Sequence, residues 1–465
     1  MNERLMFLTG RLAHARLEKV LNGMAPTPFG WSIFDVGVKV AALMTEPILM
    51  RRLPRPLAAD RVIVPGRCRA DLERLAQEFG AAFERGPDEL KDLPAFFGRA
   101  GAPIDLSRHA LRIFAEIVDA SQMTIEAILA RAETLRAAGA DVIDLGCLPD
   151  TPFPHLEGAV KELKARGLAV SVDSAAPDEL RRGGAAGADF LLSLTERNLW
   201  VAEETGARPI VIPLQHGDLA SLFRAAEAAQ KRGLAAILDP VLDPIHFGFA
   251  ASLSRYREVR AQLPEAEMLM GTGNLTELTD ADSVGVTALL LGICSEIGVA
   301  NVLTVHVSPH TRRTIEEHDA ARRIMYAAAA DRSLPRGYGR ALLQIHDRTP
   351  FPNTGQEIAD LAAQVKDLNF RIEAAEDGIH VYNRAGHFVS DDAFALFDKL
   401  GVEADGSHAF YLGAELMKAE IALRLGKRYV QDEPLDWGCA TDRRVDDATR
   451  LSAAGHRLRS REAKG

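Results

Sequence analysis

The chain has little cysteine. Cys68, Cys147, Cys294 and Cys439 are scattered over 465 residues and form no CxxC pair. That argues against a disulfide framework and suits free thiols in a reducing cytoplasm. Long apolar runs are also missing. No stretch reaches ~18 uninterrupted apolar residues, so a membrane span is not expected. Arg4, Arg11 and Arg16 interrupt the apolar start, which removes a signal-peptide pattern, and a cytoplasmic location is expected. There is no excess of positive charge either. The 55 Lys and Arg against 65 Asp and Glu leave a formal charge of −10. A nucleic-acid-binding surface is not expected, although a local basic patch could still bind phosphate.

What is present is ordinary globular composition, 47% hydrophobic and 26% charged, on a chain long enough for two or three domains. The first part reads as a small α/β domain over residues 1–100. Its strands are Leu5–Thr9, Ile33–Val36 and Arg61–Val64, and Leu12–Leu21 and Ala70–Phe79 are helical. The Thr9-Gly10-Arg11 and Gly66-Arg67-Cys68-Arg69 turns could be anion sites at helix starts. The plainer reading, connecting turns with solvated arginines, is preferred. The proline-bearing segment Gly86–Pro103 reads as a linker.

Residues 105–330 read as a second domain. Eight short apolar runs alternate there with helical stretches: Leu111–Val118, Asp141–Leu145, Leu168–Val172, Asp189–Leu194, Pro209–Pro213, Ala235–Leu238, Glu267–Met270 and Asn301–Val305. Eight strand–helix repeats over roughly 200–250 residues predict a (β/α)₈ TIM barrel, whose chemistry sits at the C-terminal strand ends. Asp119, Asp144, Asp173, Ser193, Asp239, Asn274 and His306 lie at or near those ends. A carboxylate just past a buried strand cannot enter the packed barrel layers without a large desolvation cost, so it must face the mouth. After the barrel the period changes. Phe370–Ala374, Gly378–Tyr382 and His387–Val389 predict an antiparallel meander, and helices at Asp392–Leu400 and Ala414–Leu425 complete an α+β domain over 338–440. Residues 441–465 read as a tail.

Four segments recur in an order that resembles the pterin-binding superfamily, that is, dihydropteroate synthases and pterin-binding domains of folate- and corrinoid-dependent methyltransferases. They are Gly139-Ala140-Asp141-Val142-Ile143-Asp144-Leu145-Gly146, Val170-Ser171-Val172-Asp173-Ser174, Gly187-Ala188-Asp189 and Ile237-Leu238-Asp239-Pro240. The resemblance covers Leu111 to about Arg323. It implies that Asp144, Asp173, Ser193, Asp239 and Asn274 line a pterin pocket, since a carboxylate suits the amino group and ring N–H donors of a pterin. The family's Asn-Asp pair after the fourth strand is replaced by Leu192-Ser193. Its Ser-Arg-Lys loop is replaced by Gly271-Thr272-Gly273-Asn274-Leu275-Thr276, which has no basic residue. Its Arg-Val-His strand end is Thr304-Val305-His306 here. His306, His310, Arg312 and Arg313 follow the last strand and are the candidate phosphate ligands. A metal held by His306, His310 and His318 is the less favoured reading.

The resemblance, extended by Phe7-Leu8-Thr9-Gly10-Arg11, Lys91-Asp92-Leu93-Pro94 and Tyr411-Leu412-Gly413-Ala414-Glu415, implies a dihydropteroate-synthase-like protein of the tetrahydromethanopterin pathway. The implied activity is a C–N bond-forming transferase. It would join a pterin methyl diphosphate to an arylamine, a ribofuranosylaminobenzene phosphate, with Asn274 and His306 as catalytic candidates. Mg²⁺ would accompany the diphosphate, near Glu116 and Asp119 at the first strand end, with Asp119 as its ligand. Methyl transfer to a corrinoid protein and a non-catalytic pterin-binding subunit are the alternatives. The expected partners are small molecules, with neither nucleic acid nor membrane, and a homodimer is left open. His380, His387 and His408 read as surface or core histidines.

Overall fold

The computed structural model describes residues 3–39, 41, 44–87, 90–98 and 104–442. The expected tail therefore lies outside the described residues beyond Asp442, as do parts of the expected linker. Two compact units emerge, Met1–Asp105 with Ala328–Leu334, and Leu106–Ala327 with Pro335–Gly465.

The first unit is built on a parallel sheet of β1 (Arg4–Thr9), β2 (Gly30–Asp35), β3 (Arg61–Val64) and β4 (Ala82–Arg85), in the order β2-β1-β3-β4. Its helices include α1 (His14–Gly23), α2 (Glu46–Arg52) and α3 (Leu72–Phe79). The near-continuous apolar run of β1 follows from burial on both faces. Leu5 and Phe7 pack with Leu17 and Leu21 of α1. Met6 and Leu8 pack on the other side with Leu49 of α2 and Leu75 of α3. Asp71 caps α3 by accepting from Arg74 N at 3.1 Å, and Gly80, at φ 65°, ends it. The strand β4 was not expected. It is a four-residue edge strand, AFER, with no buried position to reveal a period.

In the second unit all eight expected runs are strands. They are β5 (Arg112–Ile117), β6 (Val142–Gly146), β7 (Ala169–Asp173), β8 (Phe190–Leu194), β9 (Arg208–Val211), β10 (Ile237–Leu238), β11 (Glu267–Gly271) and β12 (Asn301–Thr304). They close into a parallel barrel with helices between them, a (β/α)₈ architecture. One layer of the interior is apolar: Phe114, Val142, Phe190, Leu192, Ile210, Ile237 and Leu269. The alternate positions, such as Ile113, Ile143, Val170 and Val172, pack outward with the helices. Below the apolar layer the strand starts carry a compensated polar network. Arg112 donates to Asn301 at 2.9 Å and pairs with Glu267, which also accepts from Arg208 at 2.6 Å and Asn301 at 2.9 Å.

The helix Ile125–Ala138 shows how local sequence fixes an element. Thr124 caps it by accepting from Ala127 N at 3.3 Å, and Ile128, Leu129, Ala132 and Leu135 form its buried stripe. It ends at Gly139, φ 119°, where a Cβ would meet Asp319 at 2.7 Å. Asp319 belongs to a network around Arg322, whose side chain is 2% exposed. Arg322 donates to Leu111 O at 2.8 Å, Gly139 O at 3.1 Å and Asp319 Oδ1 at 2.7 Å, and pairs with Asp141. It thereby ties the last barrel helix, Thr314–Ala330, to the entries of β5 and β6.

The same unit ends in the expected meander, β13 (Arg371–Ala375), β14 (Gly378–Asn383) and β15 (Gly386–Ser390). The helix Gly406–Leu425 covers it, with Leu412 and Leu416 packed on Ile372, Ile379 and Val381. His380 is a buried histidine, 2.9 Å from His387 and 3.0 Å from Asp377.

Replacing Arg322 by Met leaves two carboxylates and two carbonyls without their shared donor. The expected loss of stability is about 3 kcal/mol, the scale for breaking a buried ion network by removing one partner. Urea unfolding of the variant checks this; a loss within experimental error of wild type would contradict it.

Candidate functional site

The barrel interior becomes acidic above its apolar layer. Glu116 stands two residues after Phe114, Asp144 two after Val142, Ser171 and Asp173 two and four after Ala169, and Asp239 two after Ile237. Strand alternation therefore points all of them inward. The parallel register sets Glu116 beside Asp144, Asp144 beside Ser171, and Gly146 beside Asp173. One carboxylate oxygen each from Glu116, Asp144 and Asp173 lie within 4.8 Å of one another. Gly146 makes room for this, because a Cβ there would stand 2.6 Å from Glu116 Oε1 and 3.0 Å from Val118 Cα.

Asp144 is fully buried, and neither of its oxygens has a well-formed hydrogen bond; the buried Ser171 hydroxyl beside it has none either. Burial pushes Asp144 up to about 6, partly offset by Ser171. Burial, reinforced by the Asp144 charge, pushes Glu116 up to about 8. Asp173 rises well above the ordinary carboxylate range through burial and the charges of Asp144, Glu116 and Asp239. At neutral pH Glu116 therefore holds its proton. Three clustered hard oxygen donors, one of them with both oxygens unpartnered, also fit a Mg²⁺-type cation.

Asp239 is built differently. Its Oδ1 accepts from Tyr256 Oη at 2.7 Å and Val241 N at 2.8 Å. Burial raises it to about 6, opposed by those two bonds and by Arg255. It is mostly ionised at pH 7, and both protein bonds go to Oδ1, which leaves Oδ2 for a ligand. The loop beyond is held by Arg255, which donates to Pro240 O at 3.0 Å, Val241 O at 2.6 Å and Asp243 Oδ2 at 2.8 Å. Val241 sits at φ 68°, a left-handed conformation costly for a β-branched residue. Sequence reasoning placed Glu116 with Asp119 near a diphosphate and Mg²⁺ rather than with Asp144 and Asp173, and it missed Tyr256 and Arg255. Glu116 is marked by its two-residue step from Phe114; the other two lie on the next helix, and no sequence signal marks them.

The other candidates are placed as follows. Ser193 is half-buried on β8, where the ladder to β9 shifts register between Leu191 and Leu194. Asn274 is exposed just after β11 and donates to Leu242 O at 2.7 Å, linking the loops after β11 and β10. Asp119 is exposed past the end of β5 and is not part of the trio. His306 is half-buried after β12, and burial with the nearby Arg131 charge lowers it, so its ring is neutral at pH 7. His310 places Nε2 3.1 Å from Thr276 O. Arg313 donates to Cys439 O at 2.9 Å and pairs with Asp442 at 2.9 Å and Glu316 at 3.1 Å, while Arg312 is exposed. His318 is buried against Thr272 and Thr314. Among the described residues the three histidines form no metal-ligating group; the three carboxylates do.

The raised carboxyls carry a signed consequence. The folded state holds protons that the unfolded chain has released, so in metal-free buffer these carboxyls contribute most to stability below about pH 4, and that contribution falls as pH rises toward about 8. Asp144→Asn should flatten that decline and raise the thermal midpoint at pH 8. An unchanged slope would contradict this account.

Residues 3–88 match DUF6513, described as a family of unknown function. Residues 383–432 match PterinBD-DUF4346. An uncharacterized protein of Methanocaldococcus jannaschii is 25% identical, over 92% of this chain and 98% of its own length. Among solved structures, a Yersinia pestis dihydropteroate synthase with a pterine–sulfa conjugate is 20% identical, covers 49% of this chain and 95% of its own, and has a TM-score of 0.38. The Thermus thermophilus dihydropteroate synthase with 4-aminobenzoate is 22% identical, covering 48% of this chain and 95% of its own, with a TM-score of 0.36.

Proposed function

We propose that the barrel mouth binds a reduced pterin, and that the protein is a dihydropteroate-synthase-like transferase of tetrahydromethanopterin biosynthesis. The observation that carries this reading is Asp239. It is a buried carboxylate, mostly ionised at pH 7, with both its hydrogen bonds, from Tyr256 and Val241 N, on the one oxygen Oδ1. Such an acceptor matches the amino and ring N–H edge of a pterin. Asp173, pushed up by burial and by the charges of Asp144, Glu116 and Asp239, borders the same space. The PterinBD-DUF4346 match and the order of the barrel motifs support the same ligand.

In the proposed reaction an arylamine nitrogen attacks the pterin methylene carbon. The carbon–oxygen bond to diphosphate breaks, and the amine proton passes to solvent. The protein's work is alignment and stabilisation of departing negative charge. Asp239 fixes the ring. Asn274, by bonding Leu242 O, steadies the loop that follows Asp239. His306, neutral and half-buried, serves as a hydrogen-bond donor near the last strand end. Mg²⁺, held by Glu116, Asp144 and Asp173 rather than by Asp119, would supply charge neutralisation beside the diphosphate. The loop Gly271–Thr276 has no basic residue, which favours an acceptor other than p-aminobenzoate, such as a ribofuranosylaminobenzene phosphate. Non-catalytic pterin binding is the second reading, favoured by Arg313 and His310 having their side chains engaged by the protein itself.

Calorimetric titration with 6-hydroxymethyl-dihydropterin diphosphate tests the assignment. Asp239→Ala should bind roughly 10–100-fold more weakly, the scale of one lost charged hydrogen bond. Equal binding by the two proteins would remove the pterin assignment; binding without C–N product would select the second reading. The acceptor has its own check. Arg312→Ala should weaken the phosphorylated arylamine more than p-aminobenzoate, and equal loss for both would count against the phosphate-bearing acceptor.

A further inference from the structure

The N-terminal sheet has a topological switch. In the order β2-β1-β3-β4 the chain leaves β1 toward β2 on one side and leaves β3 toward β4 on the other. The two loops diverge, and the carboxyl ends of β1 and β3 border a crevice, the place where open parallel sheets take their ligands. A cavity of about 320 Å³ lies there. Thr9, Leu12 and Ala13 after β1, Pro65 and Arg67 after β3, and Gly86 after β4 line it. The sequence alone favoured plain connections for the turns after β1 and β3; they are the two that meet at this cavity.

Its lining has two characters. Phe7, Leu17, Ile63 and Leu93 give a buried apolar floor. The charged lining residues are Arg16, Arg67 and Arg332, and no carboxylate lines the cavity among the described residues. On a chain of net charge −10, the charge of the described lining is of the opposite sign. The loop bearing Arg67 is fixed: Cys68 N donates to Pro65 O at 2.8 Å, and Arg85 donates to Cys68 O at 2.9 Å and Ala70 O at 2.7 Å. The ten-residue helix α1 also starts at the cavity, with Ala13 as its N-cap and no side chain capping its first turn. Its leading N–H groups and the positive end of its dipole are thus open to an anion.

We infer that this unit binds a small organic phosphate. The phosphate monoester meets the guanidinium groups and the start of α1, and a ring or other apolar body rests on the floor. The volume, at the small end of ligand pockets, limits the guest to about the size of a mononucleotide. The site is separate from the barrel mouth and does not depend on the pterin reading.

The test uses the full chain and calorimetric titration with AMP, ribose 5-phosphate and phenyl phosphate, each beside its dephosphorylated counterpart. At least one monoester should bind more tightly than about 1 mM and at least about tenfold more tightly than its counterpart. Arg16→Gln combined with Arg67→Gln should weaken that binding at least about tenfold and leave the pterin titration unchanged. Ala13→Asp separates folding from binding: it supplies the missing cap, so the thermal midpoint should hold or rise, while its carboxylate repels the phosphate and abolishes the signal. The inference is overturned if none of the three monoesters binds more tightly than about 1 mM, or if the double variant or Ala13→Asp binds like wild type.

Discussion

Side-by-side placement of carboxyl groups on inward-facing positions of neighbouring parallel strands is the constraint on which the second unit depends. Water cannot reach Asp144, and neither of its oxygens has a well-formed hydrogen bond. A buried unpaired carboxylate charge is costly, so the group must hold a proton, a cation or a guest's donors. The Glu116–Asp144 register, the glycine at 146 and the half-open Asp173 all follow from accommodating that requirement. The remainder of the barrel is arranged to make it tolerable. The apolar layer from Phe114 to Leu269 insulates the acids from the strand starts, and the outer helices hold the cylinder closed.

The acids are not equivalent, and their differences come from neighbours rather than from residue type. Asp239 has Tyr256, Val241 N and the Arg255 field, and stays mostly charged. Asp173, bordered by other acids, is pushed toward its neutral form. One pocket thus contains a fixed acceptor in Asp239 and, in Glu116 at about 8, a group able to donate. The loop that carries this difference adopts a left-handed backbone at Val241, held by three hydrogen bonds from one arginine.

The architecture was legible because burial on both faces writes a parallel strand as a continuous apolar run. All eight barrel strands and the C-terminal meander are visible that way. The strand Ala82–Arg85 was not, being a short edge strand with no buried residue. The acids at strand ends were legible for the same physical reason, since Asp144, Asp173 and Asp239 each interrupt or close an apolar run. Glu116 was harder to weigh, because its importance lies in register with Asp144. Tyr256 and Arg255 were invisible. They reach the site from a helix, and nothing in a helical period says which polar residue will turn back toward the preceding loop. The candidates after β12 show the opposite difficulty. Their residue types fit an anion site, yet Arg313 and His310 are engaged by the protein.

The network of Arg112, Arg208, Glu267 and Asn301 at the strand starts gives the cylinder a direction. That end sets two guanidinium groups against one carboxylate, whereas the opposite end gathers Glu116, Asp144, Asp173 and Asp239, with Arg255 acting on Asp239. Along the axis the barrel is thus polarised, more basic at its base and more acidic at its rim. For the pterin proposed above, that imbalance would favour entry with the hydrogen-bearing edge leading, ahead of any single contact.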